Sequence, residues 1–313
     1  MFRKIRRIGN QFAVSLYNAA FNRPVGIVYM LHRVGLKDSD RLACIEGLKV
    51  SESFLERLIE RLRPDYDFIQ LDELEYRLRQ PEKKYQKPFA VFTFDDGYRD
   101  NYEYAYPIFR KNNVPFSVFL TYDFIDNPCP FNYPFIIERI ISHYDKIVIG
   151  GKNIDCATDE LKNAAFRLLK ARVMKLPYDS FKEDFKALFN DYWTDAVYDD
   201  NMLTWEQIRE MQSSDLCVFG SHTMTHCVLS NVPNDKLEYE LGVSKKNIEN
   251  RIGCAVNYIS YPFGWFTDVN DEAVVKTSEL GYHLGFMSFG GAVRKKVGDL
   301  LMLNRQMLEV NEM

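Results

Sequence analysis

No stretch of the 313 residues approaches the roughly 20 consecutive apolar side chains of a membrane-spanning helix, so none is expected. Nor does the N-terminus carry an uninterrupted apolar core of the secretory kind, because Asn10, Gln11, Ser15 and Asn18 break it. There is no Cys-x-x-Cys pair. The six cysteines (Cys44, Cys129, Cys156, Cys217, Cys227 and Cys254) are scattered and read as reduced thiols of a cytoplasmic protein, most of them interior. Cys217 and Cys227 flank a histidine motif, but simple burial is the commoner fate of a free thiol than metal binding. Acids are missing before Asp38, in a stretch that holds Arg3, Lys4, Arg6, Arg7, Arg23, Arg33 and Lys37. The whole chain nonetheless carries a net charge of −4, which excludes nucleic-acid binding driven by electrostatics. Internal repeats and low-complexity tracts are absent too.

What is present is ordinary globular material, 46% hydrophobic and 27% charged, enough for one barrel-sized domain with an insertion or for two smaller domains. Residues 1–22 set Phe2, Ile5, Ile8, Phe12, Val14, Leu16 and Phe21 among arginines, a rough amphipathic helix with a basic face. Three readings stay open for it: a helix packed on the domain, peripheral docking on the anionic inner face of a membrane, or a mitochondrial presequence. From residue 23 to residue 313 a barrel-like pattern is expected. Residues 26–31, 68–71, 89–94, 115–120, 216–220, 256–261 and 281–286 read as strands, and 303–310 closes the chain. Ser53 and Glu56 fit a capping box for a helix with an apolar stripe from Phe54 to Leu62, and Asp72 is placed to cap the next helix. Residues 101–112, 204–212, 235–249 and 271–280 read as further helices. Strand–helix alternation predicts an α/β fold with parallel pairing and crossover helices. The rhythm breaks between about 127 and 202, where helical patches at 135–142 and 158–169 precede an acidic, aromatic loop at 191–201. A helical insertion over the barrel mouth, a substrate lid or partner surface, is expected there.

The chain is organised around Phe89-Ala90-Val91-Phe92-Thr93-Phe94-Asp95-Asp96-Gly97. Six apolar or β-branched residues predict a strand buried on both faces. The two carboxylates cannot follow it into the core unpaired, so they belong at its C-terminal mouth, where Gly97 permits a sharp turn. A second constellation, Ser221-His222-Thr223-Met224-Thr225-His226, also follows a strand directly. A spacing of four puts both imidazoles on one face of a helical turn. Two neutral imidazoles and a carboxylate form a standard divalent-metal set, although an isolated His-x-x-x-His is as often two core or capping histidines.

Together, Thr93 to Gly97 and Ser221 to His226 resemble the first two motifs of the polysaccharide deacetylases, the NodB-homology carbohydrate esterases, and Ser260-Tyr261-Pro262-Phe263-Gly264 resembles the third. The resemblance runs roughly from Gly26 to Met307, apart from the insertion. It implies a distorted (β/α)7-type, TIM-like barrel and metal-dependent removal of an N- or O-acetyl group from a sugar. It further implies Asp95 as general base, and Asp96, His222 and His226 as ligands of one divalent ion (Zn²⁺ first, with Co²⁺, Ni²⁺ or Fe²⁺ as alternatives). The backbone N–H of Phe263 would help hold the oxyanion, with Tyr261 and Trp265 beside it on the substrate side. The chemistry agrees, since a metal-activated water and an adjacent carboxylate base suit hydrolysis of an unreactive amide.

The sequence also departs from the family. Ser260 stands where an arginine often orients the base, and Leu303-Asn304-Arg305 offers no histidine where the family usually has its general acid. The candidate acids are therefore His32, at the end of the first strand, and His283, whose setting places it nearer the opposite rim. Leu31-His32-Arg33-Val34 resembles a signature of members tied to cell-surface polysaccharide synthesis; His143 reads as a surface residue. The leading expectation is a deacetylase acting on an N-acetylated sugar or polysaccharide intermediate of bacterial surface-glycan assembly. Its rivals are hydrolysis of a non-sugar amide, such as deformylation, and a catalytically inactive glycan-binding scaffold.

Overall fold

The structure, a computed structural model, describes residues 24–308 apart from 39–40, 81–84, 86, 128–130, 193–200 and 296. The amphipathic segment 1–22 and most of the acidic loop 191–201 lie outside the described residues. Seven parallel strands close on themselves: β1 (Pro24–Leu31), β2 (Phe89–Phe94), β3 (Phe116–Leu120), β4 (Cys217–Ser221), β5 (Tyr258–Ser260), β6 (Leu284–Gly290) and β7 (Leu303–Met307). They pair in chain order, and β1 joins both β2 and β7. Pairing is continuous from β1 through β3 but thins to one register pair, Ile259 with Ser221, between β4 and β5. A register irregularity interrupts β6–β7 between Phe286 and Gly290.

All six residues of β2 are buried, as its apolar run requires. Period-two alternation sends Phe92 and Phe94 outward against Phe109 of the helix Tyr106–Asn112. Each such ring contributes roughly 2–3 kcal/mol of transfer free energy. Phe89 and Val91 instead join Val28, Phe119, Phe286 and Leu303 in an inner cluster. The same alternation carries Thr93 and Asp95 toward the barrel axis.

Local signals acted with some displacement. The helix Glu52–Leu62 is capped by Ser51, which accepts from the Phe54 N–H, and not by Ser53. The expected strand at 68–71 shrinks to Asp67–Phe68, and the helix Leu71–Arg79 begins before Asp72, whose carboxylate accepts from the Glu73 N–H inside the first turn. A reciprocal capping box does form at Thr204 and Gln207, opening Trp205–Gln212. The stretch read as one helix at 235–249 is a 3-10 turn, Asn234–Lys236, then a π-helical segment, Glu238–Val243, then the α-helix Ser244–Ile252.

The segment between β3 and β4 holds helices Tyr133–His143, Asp159–Val173 and Phe181–Leu188 around a core that includes Phe135, Ile141, Phe166 and Phe185. It is not wholly helical, because Lys146–Ile149 and Lys152–Asp155 form an antiparallel hairpin across Gly150 and Gly151. The Arg41 guanidinium, 2.8 Å from the buried Glu138 carboxylate, ties this segment to the loop after β1. His143 is exposed. Among the described residues no helix is long and apolar enough to cross a membrane.

Candidate active site

Asp95 and Asp96 follow β2 at its C-terminal end, and both are buried. His222 leaves β4 at the same rim, its N–H donating to the Leu120 carbonyl. The loop beyond is not a helical turn. Thr223 and His226 have φ of +67° and +58°, and this loop geometry, rather than helical spacing, brings the two imidazole centroids to 5.0 Å. Asp96 and Phe263 are also left-handed, with φ of +73° and +61°. Such backbone costs a non-glycine residue about 1–3 kcal/mol and persists only where its surroundings enforce it. One means of enforcement is Glu240, fully buried, whose carboxylate accepts from the N–H groups of Met224 and Thr225, from the Thr225 hydroxyl and from the Tyr178 hydroxyl of the inserted segment.

Asp96 Oδ1 lies 3.3 Å from His222 Nε2 and 3.2 Å from His226 Nε2. His222 Nδ1 is 2.7 Å from the Ser260 carbonyl, which can only accept, so Nδ1 carries a proton. In the neutral ring Nε2 then presents a lone pair to the lone pairs of Asp96. Something positive must sit among these three atoms. Two ligands each about 2.0–2.1 Å from a tetrahedral Zn²⁺ stand about 3.3 Å apart, which is the separation seen. Among the described residues, Asp96 Oδ1 and His226 Nδ1 have no hydrogen-bond partner. Asp96, His222 and His226 therefore fit a divalent ion, with the Ser260 carbonyl fixing one tautomer from behind. Burial works to raise the pKa of Asp96, but the two imidazoles outweigh it and hold it well below the usual carboxylate range. Burial lowers His226; at His222 the carboxylates of Asp95 and Asp96 overcome burial and raise it.

Asp95 is held differently. Arg305 of β7 donates to it bidentately, Nη1 to Oδ1 at 2.8 Å and Nη2 to Oδ2 at 2.7 Å. The remaining guanidinium N–H groups go to the Thr93 hydroxyl, the Ser260 hydroxyl and the Met287 carbonyl, so all five donors are used inside the barrel. Ser260 also donates to Asp95 Oδ2. Burial pushes Asp95 up, but Arg305 and then His222 win and set it below its ordinary value. The orienting arginine that seemed missing at position 260 thus comes from the last strand, and Ser260 makes room for it. One signal pointed there: Leu303, Arg305 and Met307 share a face of β7, and Leu303 belongs to the inner cluster.

A cavity of about 360 Å³ opens over these groups. His32 lines it together with Asp95, Asp96, His222 and His226. Burial lowers the pKa of His32, outweighing the neighbouring carboxylates of Asp96 and Asp95, which act to raise it. Phe263 lines the cavity, and its ring packs edge-on against His226 at 4.9 Å. Trp265, exposed beside Phe289, and Tyr261, buried in the main core, also line the cavity. His283 is not among the residues lining this cavity; it is half exposed and paired with Glu75 at 3.0 Å before β6 begins. Sequence reasoning overlooked Lys170, which reaches the cavity from the helix Asp159–Val173. A second cavity of about 400 Å³, lined by the inserted segment and the 225–239 loop, shares His226 and Phe124 with the first.

The arrangement can hold a cation, orient a carboxylate beside it and admit a substrate from one side. The family model for polysaccharide deacetylase matches residues 82–285. YxkH of Bacillus subtilis (strain 168), named as a polysaccharide deacetylase, is 22% identical over 217 residues, 69% of this chain and 50% of that protein. The chain thus spans about half the length of this curated relative. Among solved structures, the Streptococcus pyogenes deacetylase PplD in complex with acetate is 19% identical with a TM-score of 0.62, covering 92% of this chain and 95% of that one. A de-N-acetylase from Aggregatibacter actinomycetemcomitans is 16% identical with a TM-score of 0.58, covering 92% and 96%. These structures share the barrel, and the residues matched by the family model include Asp95, Asp96, His222 and His226 at its charged rim: the chain belongs to the polysaccharide deacetylase family.

Proposed function

We propose that this protein removes an N-acetyl group from sugar units of a surface polysaccharide or its precursor, using one divalent metal ion. The observation that carries the reading is the pairing of two differently held carboxylates: Asp96 with its bare Oδ1 between two imidazoles, and Asp95 clamped by Arg305. An ion held by Asp96, His222 and His226, most simply Zn²⁺, supplies Lewis-acid activation of water and of the acetyl oxygen. Asp95 accepts the proton of the attacking water, and Arg305 keeps its carboxylate ionised and aimed into the cavity. The Phe263 N–H faces the developing oxyanion. His32 returns a proton to the leaving nitrogen. Support for an N-acetylated glycan comes from the family and from the de-N-acetylase neighbour, and the two adjoining cavities suit a substrate longer than one sugar. The intact clamp on Asp95 speaks against an inactive scaffold.

The test pairs metal analysis with acetate release from N-acetylglucosamine and its oligomers. Wild type should bind one ion per chain and release acetate; Asp96→Ala and His222→Ala should lose both. Stoichiometric metal surviving both substitutions would sink the assignment of the site.

A further inference from the structure

Lys170 is a cation without an assignment. It comes from the inserted segment, on the helix Asp159–Val173, and enters the cavity that holds Asp95, Asp96 and both histidines. Its ammonium lies 5.4 Å from the centroid of the Phe263 ring. Among the described residues it makes no hydrogen bond or ion pair. Lysine is seldom placed inside a protein without a partner, because desolvating its charge is costly. Here burial lowers its pKa, and Asp96 only partly offsets that. Asp96 is moreover committed to the two imidazoles, and Asp95 to Arg305. Asp268 also lines the cavity, but its carboxylate accepts from the Trp265 N–H and the Thr267 hydroxyl and, among the described residues, makes no salt bridge to the ammonium. The cavity thus keeps a positive charge near its reacting end without a bonded anion.

The proposed reaction supplies one. Water adds to the acetyl carbon and the carbonyl π pair moves onto oxygen. The C–N bond then breaks with its electron pair on nitrogen, which takes up a proton. The acetyl group leaves as acetate, carrying the negative charge. We propose that Lys170 is a further catalytic residue, an anion-binding cation whose ammonium takes the acetyl-derived oxyanion and then the product acetate. This rests on the deacetylase reading above. It also gives the inserted segment a part in the chemistry: it delivers a charge that the barrel strands do not provide. The lysine matches the anion only as negative charge develops, so its contribution appears in the transition state rather than in binding of the neutral acetamide.

The experiment uses the metal-loaded protein with Lys170→Met and Lys170→Arg, reading acetate affinity by NMR titration of ¹³C-labelled acetate alongside turnover. Lys170→Met should lower kcat and kcat/KM together, by about 10²-fold, the scale for losing one oxyanion contact. Acetate should bind it about tenfold more weakly, metal content should stay at the wild-type value, and the melting temperature should hold or rise because a half-buried charge without a bonded anion has gone. Lys170→Arg should recover part of the acetate affinity. Wild-type acetate affinity and turnover in Lys170→Met would overturn the proposal. So would unchanged acetate binding combined with weaker binding of N-acetylglucosamine 1-phosphate, which would assign the lysine to an anionic substituent of the substrate. If wild type releases acetate from no glycan while acetate affinity still depends on Lys170, the anion site stands and the deacetylase reading fails.

Discussion

The pair Arg305–Asp95 should be the most sensitive single contact in the barrel. Both side chains are essentially inaccessible, at 0% and 3% exposure, and their bonds are 2.7 and 2.8 Å long. Arg305→Leu removes the cation and leaves the carboxylate with one donor, the Ser260 hydroxyl. Breaking a buried pair from one side costs about 3–5 kcal/mol, because the surviving charge is desolvated and unmatched. With a urea m-value of about 3 kcal/mol/M, the unfolding midpoint falls by roughly 1–1.7 M. The assay is urea unfolding of chelator-treated protein, so that no bound cation compensates. Asp95→Asn on top of Arg305→Leu removes the stranded charge and should restore about half of the loss or more, a coupling of roughly 2–3 kcal/mol. The pH dependence has a definite sign. In the wild type the depressed Asp95 contributes stability above the unfolded carboxylate value, about 3.9, and loses it as pH falls. In Arg305→Leu burial is opposed only by the imidazoles of His222 and His32, so the depression of Asp95 shrinks, acidification costs the variant less than the wild type and the gap between them narrows. A loss below about 1 kcal/mol at pH 7, or a double variant as unstable as the summed single ones, would refute the reasoning.

Three further outcomes are expected. Asp95→Asn should keep its metal and lose about 10²-fold or more in turnover, checked by acetate release against metal content; retained activity would mean that the roles of the two acids are exchanged. Glu240→Ala frees the Met224–Thr225 backbone that spans the two histidines, so metal affinity should drop about 10–100-fold in competition with a chelator while His222 and His226 are intact. His32→Ala should remove the alkaline fall of the pH–rate profile, which in the wild type should begin below the ordinary histidine value of about 6.5 because burial lowers His32. If His283→Ala abolishes that limb instead, the proton donor is misassigned.

Much of this was legible because the chemistry leaves adjacent marks. A six-residue apolar run that ends in Asp95-Asp96 can hardly be anything but a buried strand with acids at its mouth, and His222 follows β4 without an intervening turn. Spacing misled where backbone is strained: His222 and His226 are four apart but are brought together by left-handed residues, and no local pattern announces a left-handed threonine. Arg305 was harder. Its partner lies 210 residues away, and as a local tripeptide Leu303-Asn304-Arg305 shows only what it lacks. Only the alternation of β7 against the inner cluster reveals that the guanidinium points inward. Caps slid from Ser53 to Ser51 because either serine can serve a helix start within its first turn. The hairpin at 146–155 had a signal, Gly150-Gly151 between two alternating runs, that was passed over in favour of its helical neighbours.

The place of Arg305 on the strand that joins β6 to β1 has a consequence for how the molecule comes into being. Until that strand is seated, the ring is open and the carboxylate at the end of β2 faces the interior without its guanidinium, a state that resists burial. Seating it zips the last backbone pairings and neutralises that charge in the same motion. Closure and completion of the site are thereby one event: a chain that has stalled with its final strand outside lacks both the last barrel pairings and the clamp on Asp95.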